Sequence, residues 1–334
     1  MKVLVVNQSE IRRLLPMPEC MEVMADALRA LARGEAILPL RPMMWLPETV
    51  GVLAMMPSYL GSIDAMGVKV ISVMPGNHGT PFDSHQGAVL LFEAKHGQLL
   101  AMMDATEITA IRTAAVSGVA TQLLARQDAH RLGLLGTGVQ ARTHLAAMVA
   151  ARPIDEVRVW SRNASRAEEF AAREATRHGI AVRAVGSARD AVANADIICT
   201  TTSSREPVLE GEWIAPGTHI NAVGASIPSA RELSTSAVQM ARLYVDRRES
   251  TLNEAGDFLM AKRDGAIGDE HIVGEIGELL MGTVPGRVGA EDITLFKSLG
   301  IAVEDLASAH HIYRKALAQG VGVSIELGGE RDDD

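Results

Sequence analysis

The junction at residues 132–141 constrains the fold more than any other stretch of the chain. Leu132-Gly133-Leu134-Leu135 is a short apolar run that leads directly into Gly136-Thr137-Gly138-Val139-Gln140-Ala141, and helix formers continue to Ala151. A GxGxxA pattern alone says little in a chain with 30 glycines. Between a strand and a helix it has a physical meaning. Gly136 permits the tight turn, Gly138 lets a pyrophosphate approach the backbone, and Ala141 allows the helix to pack closely on the strand. The helix N-terminus then turns free N–H groups and a positive dipole end toward phosphate. The spacing predicts a dinucleotide site on Gly136, Thr137, Gly138, Val139 and Gln140.

The surroundings agree with that reading. Val157–Trp160, Ala181–Val185, Ala195–Thr200, His219–Val223 and Leu243–Val245 read as further strands, with helical or turn segments such as Ser165–Arg177 between them. Continuous apolar strands separated by helices predict a parallel sheet covered on both faces. The end of the second strand selects the dinucleotide. An NAD site places Asp or Glu there, whereas this chain reads Ser161-Arg162-Asn163 with Arg166 one turn later. Arginines neutralise a 2′-phosphate that a carboxylate would repel. NADPH is therefore expected over NADH, with NADH possible.

The first hundred residues have another texture. Pro18–Ala32 is helical and stops at Gly34, and Val52–Met56, Val68–Val73, Ala88–Phe92 and Leu99–Met103 are spaced like strands of an antiparallel or mixed sheet with a hairpin near Gly97. Asp104-Ala105-Thr106-Glu107 has the capping-box spacing, opening a helix to Ala125. The segment from Thr294 to Ala318 is read as helical, and the acidic end at 330–334 as frayed.

Composition excludes several classes. With 47% hydrophobic and 22% charged residues the chain is an ordinary globular protein of two domains, and a net charge of −9 argues against nucleic acid as a partner. Cys20 and Cys199 read as buried thiols of a reducing compartment. No apolar run approaches the length of a membrane span, so cytoplasmic location and no membrane partner are expected. His271 to Glu275 has helical His/Glu spacing but no HExxH, and no metal is expected. His310-His311 is placed on a solvated helix face.

Longer stretches carry a resemblance. Ser84-His85-Gln86, Ile108-Thr109-Ala110-Ile111-Arg112-Thr113-Ala114-Ala115, His219-Ile220-Asn221-Ala222-Val223-Gly224-Ala225-Ser226, Leu243-Tyr244-Val245-Asp246 and residues 296–306 resemble the ornithine cyclodeaminase/mu-crystallin family, the ketimine-reductase branch most of all. The resemblance covers nearly the whole chain. It implies an α/β protein with a Rossmann-type doubly wound parallel sheet domain, residues 116–304, inserted into a second α/β domain, residues 1–115 and 305–334, that binds substrate and dimerises. It implies that Arg41, Lys69 and Arg112 hold a substrate carboxylate in the interdomain cleft and that Glu254 lies in the ligand pocket. It places Ser84, His85, Gln86, Arg112, Thr202, Ser203, Val223 and Ser298 against the cofactor. An unpaired ammonium within the apolar run Val68-Lys69-Val70-Ile71 would be costly, which agrees with a role for Lys69.

Ser226 departs from part of the family. Cyclodeaminases and related alanine dehydrogenases carry an acid/base Asp at this position, and expelling ammonia needs a group that titrates near neutrality. A serine hydroxyl does not supply that, but it can hydrogen-bond an imine nitrogen or a water. The acidic residue that cyclodeaminases use for the distal amine of ornithine corresponds to Val52. The expected activity is therefore NAD(P)H-dependent reduction of cyclic ketimine carboxylates, such as Δ1-piperideine-2-carboxylate or Δ1-pyrroline-2-carboxylate, with Lys69 and Ser226 as catalytic candidates. The alternatives are ornithine cyclodeamination, alanine-type dehydrogenation and a crystallin-like ligand-binding role without turnover.

Overall fold

The computed structural model describes residues 2–77 and 80–329, so the acidic end at 330–334 lies outside the described residues. The chain divides into two compact units, Met1–Arg112 with Ile301–Asp334, and Thr113–Gly300. These divisions compare with expected ones at 115/116 and 304/305. Glu304 falls in the first unit, where its carboxylate pairs with Arg112.

In the first unit, β1 (Lys2–Val6) is followed by α1 (Gln8–Leu14), which is opened by a reciprocal Asn7/Glu10 capping box. After α2 (Met17–Ala32) come β2 (Ala36–Ile37), β3 (Met43–Trp45) and the long strands β4 (Val52–Leu60), β5 (Ala65–Val73), β6 (His85–Glu93) and β7 (Leu99–Asp104). Along β4 the alternation is plain: Val52, Ala54, Met56, Ser58 and Leu60 are buried and Met55 is exposed. The hairpin between β6 and β7 turns at Gly97, where φ is +75°. Asp104 then caps α3 (Ala105–Leu124), its Oδ1 accepting from Glu107 N at 2.8 Å.

The second unit alternates as the sequence predicts. It contains β8 (Arg131–Leu135), α4 (Val139–Ala151), β9 (Glu156–Trp160), α5 (Ala164–His178), β10 (Ala181–Ala184), α6 (Ala188–Val192), β11 (Ile197–Thr200) and β12 (His219–Ala222). It continues with α7 (Thr235–Gln239), β13 (Arg242–Val245), α8 (Arg248–Glu254), α9 (Gly256–Arg263), β14 (Ile272–Glu275), α10 (Ile276–Met281) and β15 (Thr294–Lys297). The chain returns to the first unit through α11 (Ala302–Gln319) and β16 (Val323–Glu326).

The first sheet runs β16-β1-β7-β6-β5-β4-β2, with β3 paired to β4. It is mixed, because β1 is parallel to β7 while β4, β5, β6 and β7 pair antiparallel. Helix α11 packs on β4, β5 and β6 and against α2. The second sheet, β10-β9-β8-β11-β12-β15-β13-β14, is parallel throughout and has the Rossmann order around β8.

Three expectations need correction. Thr294–Lys297 is not helical but forms β15, between β12 and β13, and all four residues are buried. A strand buried on both faces shows no period-two signal, so a short apolar run there is ambiguous. Ile272–Glu275, given a helical spacing above, is the edge strand β14. His310 and His311 are half-buried rather than solvated. Helix α2 covers that side of α11, and His311 Nε2 lies 3.1 Å from Glu19 Oε2.

Lys297 stands in β15 because its charge is matched. Its Nζ lies 2.9 Å from Asp257 Oδ2, with side-chain exposures of 1% and 2%. Asp257 Oδ1 also accepts from Glu232 N and Leu233 N. Asp257→Ala leaves a buried ammonium without its counter-charge and two N–H groups without their acceptor, at an expected loss of about 3–5 kcal/mol in urea unfolding. Asp257→Asn keeps an acceptor for the N–H groups, and should cost less than the alanine variant.

Candidate functional site

The sheet order of the second unit reverses between β8 and β11, which makes that crevice the switch point where open α/β sheets take ligands. Gly136 ends β8 with φ +119°. A Cβ there would lie 2.7 Å from Thr201 Oγ1 and 2.9 Å from Thr201 O, so no larger residue fits. Gly138 is exposed, with nothing within 4 Å of its Cβ position. As N-cap of α4 it offers no side-chain acceptor, which leaves the first-turn N–H groups for an anion. Ala141 is fully buried beneath the loop. Gln140 is half-buried, and its Oε1 has no hydrogen-bond partner among the described residues. An open backbone cradle at a helix N-terminus fits a dinucleotide pyrophosphate.

The other expected cofactor residues of this unit sit at the carboxyl ends of neighbouring strands. Ser161, Arg162, Asn163 and Arg166 follow β9, Thr202 and Ser203 follow β11, Val223 and Ser226 follow β12, and Ser298 follows β15. The strands β9-β8-β11-β12-β15 are consecutive in the sheet, so these residues share one edge. Arg162 and Arg166 are exposed and have no acidic partner among the described residues. Asn163 caps α5, its Oδ1 accepting from Arg166 N at 3.1 Å. Glu254, the last residue of α8, is buried.

Sequence reading missed the residue that ties this edge together. Glu232 is fully buried and accepts from Thr200 Oγ1 at 2.8 Å, Thr202 N at 2.5 Å and Gly224 N at 2.6 Å. One carboxylate thus fixes the exits of β11 and β12. Burial, then the charge of Asp257, pushes its pKa up, against the pull of Lys297.

Arg41, Lys69 and Arg112 belong to the first unit. Lys69 is 3% exposed on β5, opposite Met56 and Val89. Its Nζ is 2.8 Å from Asp305 Oδ2 and donates to Thr109 Oγ1 at 3.3 Å. Arg112, on α3, donates through Nε to Asp305 Oδ1 at 3.0 Å and through Nη1 to Glu304 Oε2 at 2.6 Å. Gly67 permits this assembly: a Cβ would meet Leu306 Cδ1 at 3.0 Å, so the first turn of α11 lies against β5. Arg41 is half-buried ahead of β3. Burial pulls the Lys69 pKa down to about 8, a shift that Asp305 opposes and the charges of Arg112 and Arg41 reinforce. For Arg112 burial acts in the same direction, but Asp305 and Glu304 outweigh it and raise the pKa. Ser84, His85 and Gln86 open β6 or precede it, with Ser84 Oγ 3.0 Å from His85 Nδ1.

Glu304 and Asp305 carried no sequence signal of their own. Two acids in the first turn of a helix are ordinary dipole partners, and their cations lie about two hundred residues away. Among the described residues no His, Cys, Asp and Glu group is placed to hold a metal ion, and no helix is long and apolar enough to cross a membrane.

Comparison with known proteins adds three likenesses and a family. The model described as the ornithine cyclodeaminase/mu-crystallin family matches residues 1–320. Ketimine reductase mu-crystallin of Mus musculus is 43% identical over 280 residues, 84% of this chain and 85% of that protein. The structure of Thermococcus litoralis Δ1-pyrroline-2-carboxylate reductase in complex with NADH and L-proline superposes with a TM-score of 0.94, at 41% identity, over 96% of this chain and 99% of that one. An archaeal alanine dehydrogenase dimer with bound NAD gives 0.93 at 33% identity, over 98% and 100%.

The loop geometry separates two glycine substitutions. Gly138→Ala has room in the fold, so thermal unfolding should stay near wild type while dinucleotide binding, read by nicotinamide fluorescence, weakens. Gly136→Ala should lower both, with affinity falling about 5- to 150-fold, the equivalent of the 1–3 kcal/mol a strained backbone costs. Unchanged affinity in both variants would remove the loop from the cofactor site.

Proposed function

The chain belongs to the ornithine cyclodeaminase/mu-crystallin family, and from that premise we propose that it is an NAD(P)H-dependent reductase of cyclic ketimine carboxylates. The substrates are rings with an endocyclic C=N beside a carboxylate, Δ1-pyrroline-2-carboxylate or Δ1-piperideine-2-carboxylate, and the products are proline or pipecolate. One observation carries the reading: the buried cations Lys69 and Arg112 lie in a chain similar over 96% of its length to a reductase solved with NADH and L-proline.

Arg41, Lys69 and Arg112 are proposed to take the substrate carboxylate, fixing the ring so that its imine carbon is presented to the nicotinamide. When bound, the reduced dinucleotide supplies the hydride that this carbon accepts. The imine nitrogen must gain a proton in the same turnover. Lys69, lowered to about 8, is charged at neutral pH yet gives up its proton far more readily than an ordinary lysine. Ser226 can hydrogen-bond the nitrogen or a water, but its hydroxyl does not titrate near neutrality, which argues against ammonia expulsion. Arg162 and Arg166, without acidic partners among the described residues, favour NADPH over NADH.

The reading is tested by absorbance at 340 nm with NADPH or NADH and each cyclic imine, alongside ornithine with ammonia detection. Imine-dependent oxidation of NADPH is expected, with a lower rate for NADH and silence from ornithine. Ammonia from ornithine without net loss of reductant would overturn the reading. Arg41→Gln is the cleaner variant, because Arg112→Ala would remove a buried charge partner from both Glu304 and Asp305. It should raise the imine KM about tenfold or more, the worth of a hydrogen bond to a charged group.

The same unit suggests a homodimer. Pro57, Val68, Leu90 and Met102 form one cross-strand row on the sheet face opposite Lys69, half-buried or exposed, with Met55 beside it. Water-facing rows of this kind mark association surfaces, and the archaeal alanine dehydrogenase that this chain resembles has been solved as a dimer. Light scattering should give about twice the 35.6 kDa chain mass, and Met102→Asp should shift the protein toward monomer.

A further inference from the structure

The basic residues expected to bind the substrate carboxylate are not three bare cations. Lys69 from β5 and Arg112 from α3 meet on the two oxygens of one carboxylate, Asp305, at 2.8 and 3.0 Å. Glu304 closes the other side of Arg112 at 2.6 Å. All four side chains are 4% exposed or less. Two positive and two negative charges cancel within this buried group. The approach is built in, because Gly67 lets Leu306 close against β5 one residue beyond Asp305.

We propose that Asp305 is a positioning residue of the substrate site: by bridging Lys69 and Arg112 it holds both cations at one spacing and keeps Lys69 charged in a dry environment. The inference rests on the reading of this site as one for a cyclic imine carboxylate and assigns the residue that poises it. An unpaired ammonium in such a position sheds its proton. The charged groups that face Lys69 are Arg41 from the segment before β3, Arg112 from α3 and Asp305 from α11; Thr109 on α3 adds a hydroxyl. Glu304 on α11 and Cys20 on α2 lie beside Arg112. Among the charges acting on Lys69, Asp305 favours the protonated form, while burial, Arg112 and Arg41 disfavour it. Without Asp305 the ammonium deprotonates at lower pH. Whether Lys69 binds the carboxylate or donates the proton, it must be charged, so activity falls as pH rises through its pKa.

Two measurements test the inference. In the first, kcat/KM for imine reduction is followed against pH. The basic limb of the wild type, near pH 8, should move down by about one unit or more in Asp305→Asn. Glu304→Gln, which touches Arg112, should raise the imine KM and leave the limb in place. Asp305→Glu keeps the charge but displaces it by a methylene, so it should keep the limb and raise KM; it serves if Asp305→Asn does not fold. A basic limb unmoved in Asp305→Asn, or moved in Asp305→Glu, would overturn the proposal, as would an unchanged KM in Asp305→Glu.

The second measurement needs no substrate. The chain has six lysines, so Nζ of ¹⁵N-lysine-labelled protein gives few NMR signals, and Lys69→Met assigns one of them. That signal should titrate at lower pH in Asp305→Asn than in the wild type. A wild-type enzyme silent on every imine would sink the functional reading and leave this titration standing. An unmoved Lys69 titration would sink the role of Asp305 and leave the functional reading intact.

Discussion

A lysine on the covered face of a sheet can keep its charge only where an anion is brought to it, and the first unit is organised around that requirement. Lys69 has no acidic partner on its neighbouring strands β4 and β6; opposite it stand Met56 and Val89. The anion arrives from the other end of the chain, on the first turn of α11. The whole parallel-sheet unit lies between these partners in sequence. The return of the chain after Gly300 is therefore what makes a buried ammonium tolerable at residue 69. The same turn satisfies Arg112, at the division between the units, so one helix start neutralises two cations.

The second unit solves the same problem with a different outcome. Lys297 is as buried as Lys69 and is matched by Asp257, but it also donates to Ala222 O, and the network continues through Glu232 to Thr202 N and Gly224 N. Its effect is to fix the backbone exits of β11 and β12. Buried charge here sets the shape of a strand edge. In the first unit it sets the charge state of a side chain, and the two networks share no member.

How much was legible in the sequence follows from the range of the interactions. The GxGxxA loop was readable because a positive φ, a helix N-terminus and a small packing residue all act within six positions. The strand alternation of β4 and the Asp104 cap are equally local. Thr294–Lys297 was misread because a strand buried on both faces has no alternation, and because a lysine in it points away from a central strand unless Asp257 is known. His310 and His311 were misplaced because the cover over them comes from α2, nearly three hundred residues earlier. Arg41, Lys69 and Arg112 were singled out through resemblance, whereas Glu304, Asp305 and Glu232 were not. Their partners are remote in sequence, and acids at a helix start or in a loop look solvated until the fold brings cations to them.

The two halves of the proposed reaction make opposite demands on water, and the two units divide along that line. A dinucleotide is large and polyanionic, so its loop must stay open: Gly138 is exposed, and the first turn of α4 has no side-chain cap competing for its N–H groups. A proton held near neutrality on a lysine needs a dry setting, since in water an ammonium stays charged to about pH 10. Dryness alone would strip the proton altogether, and a bridging carboxylate restores it. An intermediate value is therefore reached by two large effects of opposite sign rather than by one small effect. Such a balance is sensitive to any group that enters beside it. A substrate carboxylate is such a group: arriving next to Lys69 it adds a second anion, raises the lysine's affinity for its proton, and so favours the charged form at the moment the ring is bound.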